Sequence, residues 1–251
     1  MPRRPARACR LALDRLEDRL TPAQFTVTTT ADAGAGSLRQ AIMDSNANPG
    51  PDLIRFNIPG DGVHVITLSK DLPFIRDAVT IDGYSQPGAS PNTLAVGNNA
   101  RIRIEIDAAG KIGIATTFNS LADGTVIQGL ALVNSKRFGI DFGSAGGSPN
   151  GVTIRGNFIG VRADGVTVRG NNMGGIELGN ATGVTIGGPN PGDRNVIAGN
   201  AREGIDLNKA SNTLVQNNYI GVDATGVRAA GNGFSGVRLT GDHNQIRDNV
   251  I

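Results

Sequence analysis

The chain has 251 residues, enough to bury a large core, with 36 glycines, 4% aromatic residues and no tryptophan, a balance unusual for a compact globular enzyme. Glycine does not recur in strict G-X-Y triplets, which excludes collagen, and no apolar run approaches the ~18 residues of a membrane-spanning helix. The formal charge of +2 is set by the first twenty residues, where six arginines against Asp14, Glu17 and Asp18 leave +3, so the remainder sits near −1 and offers nucleic acid no basic surface.

Residues 1–23, MPRRPARACRLALDRLEDRLTPA, begin as a basic segment but never reach an apolar stretch, because Asp14, Arg15, Glu17, Asp18 and Arg19 interrupt the leucines. The expectation is a basic leader, disordered or a short helix. Its lone Cys9 excludes an intrachain disulfide. Leu16, Glu17, Arg19, Thr21, Pro22 and Ala23 resemble the L-E-x-R-x-T-P-A leader of planctomycete-type bacterial surface proteins, and the resemblance implies an extracellular or cell-surface location.

Residues 24–60 read as an N-terminal cap. FTVTTT (25–30) predicts a strand, and SLRQAIMDSN a short helix in which Ser37 is the N-cap, Gln40 completes a capping box, and Leu38, Ala41 and Ile42 form a narrow apolar face. Asn48, Pro49, Gly50 and Pro51 stop it. The stretch TVTTTADAGAGSLRQAIMDSNANPGPDLIRFNI, followed by ITLSKDLPFI, VTIDGYSQPG and IEID, resembles the N-terminal module of bacterial surface proteins of the right-handed parallel β-helix class. Their C-S-L-R-E-A-type motif corresponds here to Gly36, Ser37, Leu38, Arg39, Gln40 and Ala41, with the Cys and the Glu replaced. The resemblance covers residues 24–251 and implies that fold and an extracellular setting.

Residues 61–251 carry a repeat. GVTIRGNFIGVRADGVTVRGNNMGGIEL (151–178) lies over NTLVQNNYIGVDATGVRAAGNGFSGVRL (212–239) without a gap at an offset of 61, with 11 of 28 positions identical. GVTIGGPNPGDRNVIAGNAREGIDL (183–207) repeats the frame with a different insertion. Short period-2 apolar stretches bounded by Gly and Asn predict strands with one buried face, and units of about 30 residues predict three strands per turn of a solenoid. Gly- and Asn-rich corners suit its bends, and Asn157, Asn200, Asn218 and Asn249 are placed to stack as an amide ladder. The expected fold is all-β: a right-handed parallel β-helix (solenoid) with a short N-terminal capping helix, and a C-terminal coil open to end-to-end self-association.

The frame Gly, apolar, variable, apolar recurs at GIDF (139–142), GIEL (175–178), GIDL (204–207) and GVRL (236–239), so Asp141, Glu177, Asp206 and Arg238 form one outward column of candidate ligand-binding residues. Stacked carboxylates suit sugar or cation binding and glycosidic chemistry, while a solvated flank is the plainer reading. Arg103, Glu105 and Asp107, with Asp82, form a second outward set. Tyr84 and Tyr219 are rings available to stack on sugars or to pack corners. GNGFSG (231–236) matches a dinucleotide loop in spacing but has no following helix, and His64 and His243 have no ligand-spaced partners, so no cofactor and no metal is assigned.

No catalytic constellation stands out. The expectation is a non-catalytic exported or cell-surface protein, glycan-binding, adhesive or structural, whose partners are polysaccharide or cell-envelope components. The alternative is a polysaccharide-degrading lyase or glycoside hydrolase using outward carboxylates on stacked coils, as the pectate-lyase-like fold allows.

Overall fold

The computed structural model describes residues 22–143 and 148–251, with the side chains of 116–121 excepted. Nearly all of the expected leader, Cys9 included, lies outside the described residues. Three parallel sheets, one strand from each per turn, stack into a β-solenoid of about seven turns. The first sheet has eight strands: Gln24–Val27, Asp52–Phe56, Val79–Asp82, Val126–Gln128, Thr153–Arg155, Thr185–Gly187, Leu214–Gln216 and Gln245–Arg247. The second runs from His64–Thr67 through Ile104–Asp107, Leu130–Val133, Phe158–Ile159 and Val196–Ile197 to Tyr219–Ile220. The third runs from Ile75–Asp77 through Ile114–Leu121, Ile140–Asp141, Ile176–Glu177 and Ile205–Asp206 to Val237–Arg238.

Register follows the apolar alternation, because a slip of one residue turns every buried side chain to solvent. Ile54, Ile81, Ile127, Ile154, Ile186 and Val215 stack in register down the first sheet and are fully buried. Ile140, Ile176 and Ile205 do the same in the third. In the strand Leu214–Gln216, Leu214 faces outward opposite Thr185, and Val215 takes the core position.

The first two strands of the first sheet bracket the helix Leu38–Ala47, so the cap is continuous with the solenoid. Leu38, Ala41 and Ile42 are buried, and Ser37 Oγ accepts from Gln40 N at 3.1 Å. The capping box is only half made, since the Gln40 amide turns to Asp44 instead of reaching back. Arg39 fixes the helix to the coil beneath by donating to Asp32 Oδ1 and to the carbonyls of Lys70 and Asp71. The predicted strand is shorter than FTVTTT: beyond Val27 the backbone N–H groups of Thr28 and Thr29 turn to Gly36 O.

Two asparagine ladders line the corners. Asn157, Asn195, Asn218 and Asn249 pass hydrogen bonds Nδ2 to Oδ1 at 3.2, 2.8 and 3.0 Å. Asn171, Asn200 and Asn232 form another, at 2.9 and 3.0 Å. Asn200 therefore leaves the expected ladder and Asn195 enters it. The two residues end the same strand on neighbouring corners, and spacing from an apolar pair does not distinguish them.

The repeated insertion is a hairpin in both copies, closed by Val161 opposite Val168 and Val222 opposite Ala229. Each hairpin folds back over the outer face of the second sheet. A second apolar cluster, including Ala131, Phe158, Val196, Tyr219 and Ala224, is buried there. Arg162 reaches past the small Ala131 to Glu105, donating from Nε at 3.0 Å and Nη2 at 2.6 Å, while Ala163 N donates to the other oxygen. The second hairpin rests on the first through Ala224 N and Gly165 O. Glu105 and Asp107, expected on a solvated face, are therefore buried. Alternating charge did not reveal a covering hairpin two coils away.

No helix among the described residues is long and apolar enough to cross a membrane. The coil of Val237–Arg238 and Gln245–Arg247 exposes Phe234, Leu239, Ile246 and Ile251. GNGFSG leads into a strand and not a helix.

Candidate functional site

The G-I-x-L frames stack as their spacing implies: Asp141 pairs with Glu177, Glu177 with Asp206, and Asp206 with Arg238 along one ladder. Their environment differs from an open flank. Asp141, Glu177 and Asp206 are only 2, 8 and 5% exposed, so an open solvated column is corrected to a largely buried one. Arg238, exposed, donates to Asp206 Oδ2 at 3.1 Å, and Asn208 N donates to Oδ1. Arg137 Nε lies 2.9 Å from Asp141 Oδ2, an ion pair whose N–H does not point along the contact. Asn208 Nδ2 approaches Glu177 Oε1 at 3.5 Å. These carboxylates already hold protein donors, and what remains open on the column is chiefly the Arg238 side chain.

A more accessible arrangement lies at the corner of the first and second sheets. The outward residue that follows each buried Ile of the first sheet forms a column in which Arg55 pairs with Asp82, Asp82 with Gln128 and Gln128 with Arg155. The side chains continue the ladder. Arg155 Nε donates to Gln128 Oε1 at 2.9 Å, and Gln128 Nε2 donates to Asp82 Oδ1 at 2.9 Å, which also accepts Tyr84 N at 3.1 Å. An amide with both ends committed cannot flip, so it fixes the carboxylate on one side and the guanidinium on the other, on strands two steps apart.

Tyr84 lies along the corner beside this column. Its hydroxyl donates to Gly156 O at 2.7 Å, two strands on, and the ring passes over Gly129 and Gly156. Both glycines have positive φ, 71° and 62°, and a Cβ on either would lie under 3 Å from Tyr84, so only glycine lets the ring lie flat. Burial, then the nearby Asp82 and Asp193 charges, push the phenol well above its usual range, with Arg155 acting in the opposite sense.

The segment 86–101 forms a strap across the corner. Gln86 exchanges two hydrogen bonds with the Ile58 backbone, and Asn92 Nδ2 donates to Pro191 O at 3.0 Å. Farther on, Arg194 Nη atoms donate to the carbonyls of Ala95 and Gly97 while its guanidinium stacks 4.6 Å from the Tyr219 ring centre. Arg194 is 4% exposed, a buried cation satisfied by strap carbonyls and Asn217. Tyr219 is thus a packing residue, and Tyr84 is the ring that borders open space.

Asp82, Gln128, Arg155, Tyr84, Pro91 and the turn residues Gly192 and Asp193 line an open-mouthed cavity of about 350 Å³. Asp193 Oδ2 accepts from Asn190 N and Nδ2, and its Oδ1 lies 3.6 Å from Arg155 Nη1. The cavity therefore presents a fixed carboxylate, amide and guanidinium row beside an aromatic ring and a proline. Such a set can receive the hydroxyls of a small polar ligand while Tyr84 and Pro91 offer apolar contact.

Asp82 and Tyr84 were visible as candidates, Gln128, Arg155 and Asp193 were not. A signal existed: reading the residue after the buried position in VTID, TVIQ, VTIR, VTIG, TLVQ and NQIR gives the column directly, as the G-I-x-L frame did for the third sheet. Comparison with models of known protein families and with curated protein sequences gives no match.

Proposed function

We propose that this protein is a non-catalytic glycan-binding β-solenoid acting outside the cell or at its surface. The observation that carries the reading is the cavity at Asp82, Gln128, Arg155 and Tyr84, where polar groups are fixed before any ligand arrives. The volume lies near the low end of the roughly 300–1,000 Å³ of small-molecule sites, which suits a short saccharide segment. Both carboxylates of the cavity already accept two N–H hydrogen bonds on one oxygen, an arrangement that suits holding hydroxyls. The extracellular setting rests on the leader and cap resemblances of the sequence. In this reading the column is structural: Arg238 ties its coil to Asp206 by an ion pair, Arg137 pairs with Asp141 within one coil, and the Asn208 amide faces Glu177.

The test is a polysaccharide panel scored for binding and for release of reducing or unsaturated ends, with wild type beside Gln128→Ala/Arg155→Ala and Glu177→Ala/Asp206→Ala. Binding lost in the first variant, with no release from wild type, is expected. Release that vanishes only in the second variant overturns the reading in favour of an enzyme using the third-sheet column.

A further inference from the structure

The cavity at Asp82, Gln128 and Arg155 is not a through-going groove. At the Arg155 end, the short turn Pro191–Asp193 rises across it and meets the strap. A Cβ on Gly192 would lie 3.2 Å from Pro91 Cβ and 3.3 Å from Asn92 O, so strap and turn are in contact. Beyond that wall lies a separate cavity of about 270 Å³ bordered by Ala95, Pro189, Pro191, Arg194, Gln216 and Asn217. At the other end the outward column continues to Arg55, one strand step from Asp82 and exposed. A further cavity of about 350 Å³ opens there on Arg55, Thr26, Asn57, Ser85 and Pro87.

Charge narrows the occupant. Two carboxylates, Asp82 and Asp193, border the cavity with one guanidinium, Arg155, which is already directed to Gln128 and Asp193. An acidic sugar would place its carboxylate beside Asp82 and Asp193 and compete with both for Arg155, whereas a hydroxyl or an ammonium meets acceptors. The Tyr84 phenol beside them is displaced upward first by burial and only then by the Asp82 and Asp193 charges.

We infer, building on the glycan-binding reading, that this cavity is a blind pocket for the terminal unit of a neutral or amino-sugar chain, the rest of which leaves toward Arg55. The Pro191–Asp193 turn is then the specificity element: it stops the chain, while the Asp82 to Arg155 row reads the last unit. Internal stretches of a polymer do not enter, because a chain continuing past Arg155 collides with Gly192 and Pro91.

The test is calorimetric titration of the full chain with cello-, chito- and manno-oligosaccharides of increasing length, the same oligosaccharides reduced or methylated at one end, cyclic glucans, and oligouronates. Nuclear magnetic resonance of the Gln128 side-chain amide reports occupancy of the pocket. Affinity for linear chains is expected to rise over the first units and then level. Blocking the recognised end is expected to cost at least about tenfold, roughly 1.4 kcal/mol. Cyclic glucans and oligouronates are expected at baseline, and Asn92→Ala, which unties strap from turn, is expected to admit cyclic or end-blocked chains. Saccharides that shift the Gln128 amide equally well with blocked ends or no ends overturn the blind pocket and leave glycan binding standing. A Gln128 amide that no saccharide moves overturns both.

Discussion

Replacing Asn195 with Ala tests the corner ladders as a source of stability. Asn195 is fully buried, and its amide accepts from Asn157 N at 2.9 Å and Asn157 Nδ2 at 3.2 Å while donating to Ile154 O at 2.9 Å and Asn218 Oδ1 at 2.8 Å. Two of these groups keep a second partner: Asn157 Nδ2 still donates to Ile127 O, and Asn218 Oδ1 still accepts Asn195 N. The Asn157 backbone N–H has no such alternative. One orphaned buried donor at about 1–3 kcal/mol, with the other weakened bonds at about 1 kcal/mol together, gives a loss of about 3 kcal/mol. At the last rung, Asn249 accepts the equivalent bonds from Asn218 N and Nδ2, but this amide is part-exposed and water can replace it. Asn249→Ala is therefore expected to cost about 1 kcal/mol. The assay is the urea midpoint by circular dichroism, with both variants and wild type at one concentration. Equal losses at the two rungs would refute the ladder as a cooperative device and reduce it to local packing.

Other outcomes follow from the same contacts. Arg162→Met leaves Glu105 buried with Ala163 N as its remaining donor. Because Arg162 is partly solvated, the loss is expected near 2 kcal/mol, below the 3–5 of a fully buried pair, and Glu105→Gln/Arg162→Met should recover most of it in the same urea series. If the double variant is no better than the single, desolvated charge is not the cause. Burial of Asp32 works against ionisation, yet hydrogen bonds from Ser69 and Arg39 and the Arg39 charge outweigh it and hold its pKa below the usual 3.8. Its contribution is present above that value and lost as pH falls through the lower folded-state pKa. Hydrogen exchange of the helix Leu38–Ala47 should accelerate only on strong acidification, and Asp32→Asn should remove that pH dependence while loosening the helix at neutral pH.

What was legible in the sequence was whatever repeats from coil to coil. The G-I-x-L frames and the buried Ile positions recur at each turn, so their stacking and register could be read by alignment. The covering hairpins and the strap could not, because their partners are set by how many coils a segment reaches across. Glu105 and Arg162 are 57 residues apart, and nothing local in either strand indicates the contact. The cavity fails to show for a related reason. Its wall comes from Tyr84, Pro91 and Asp193, three positions in insertions that no other coil shares. Gly129 and Gly156 look like ordinary corner glycines until Tyr84 is laid across them.

The hairpins also govern how such a rod changes length. Each one rests on a partner two coils earlier, Arg162 on Glu105 and Ala224 on Gly165, so removing a single coil would keep the strand pairing but set every later hairpin on the wrong neighbour. Removing or adding a 61-residue pair keeps the strand pairing and the two-coil reach of the hairpins, although Asp223 stands in the second copy where Arg162 stands in the first. The molecule is thus ruled in double steps of about 10 Å, twice the strand spacing, and its length is a quantity that changes by whole increments.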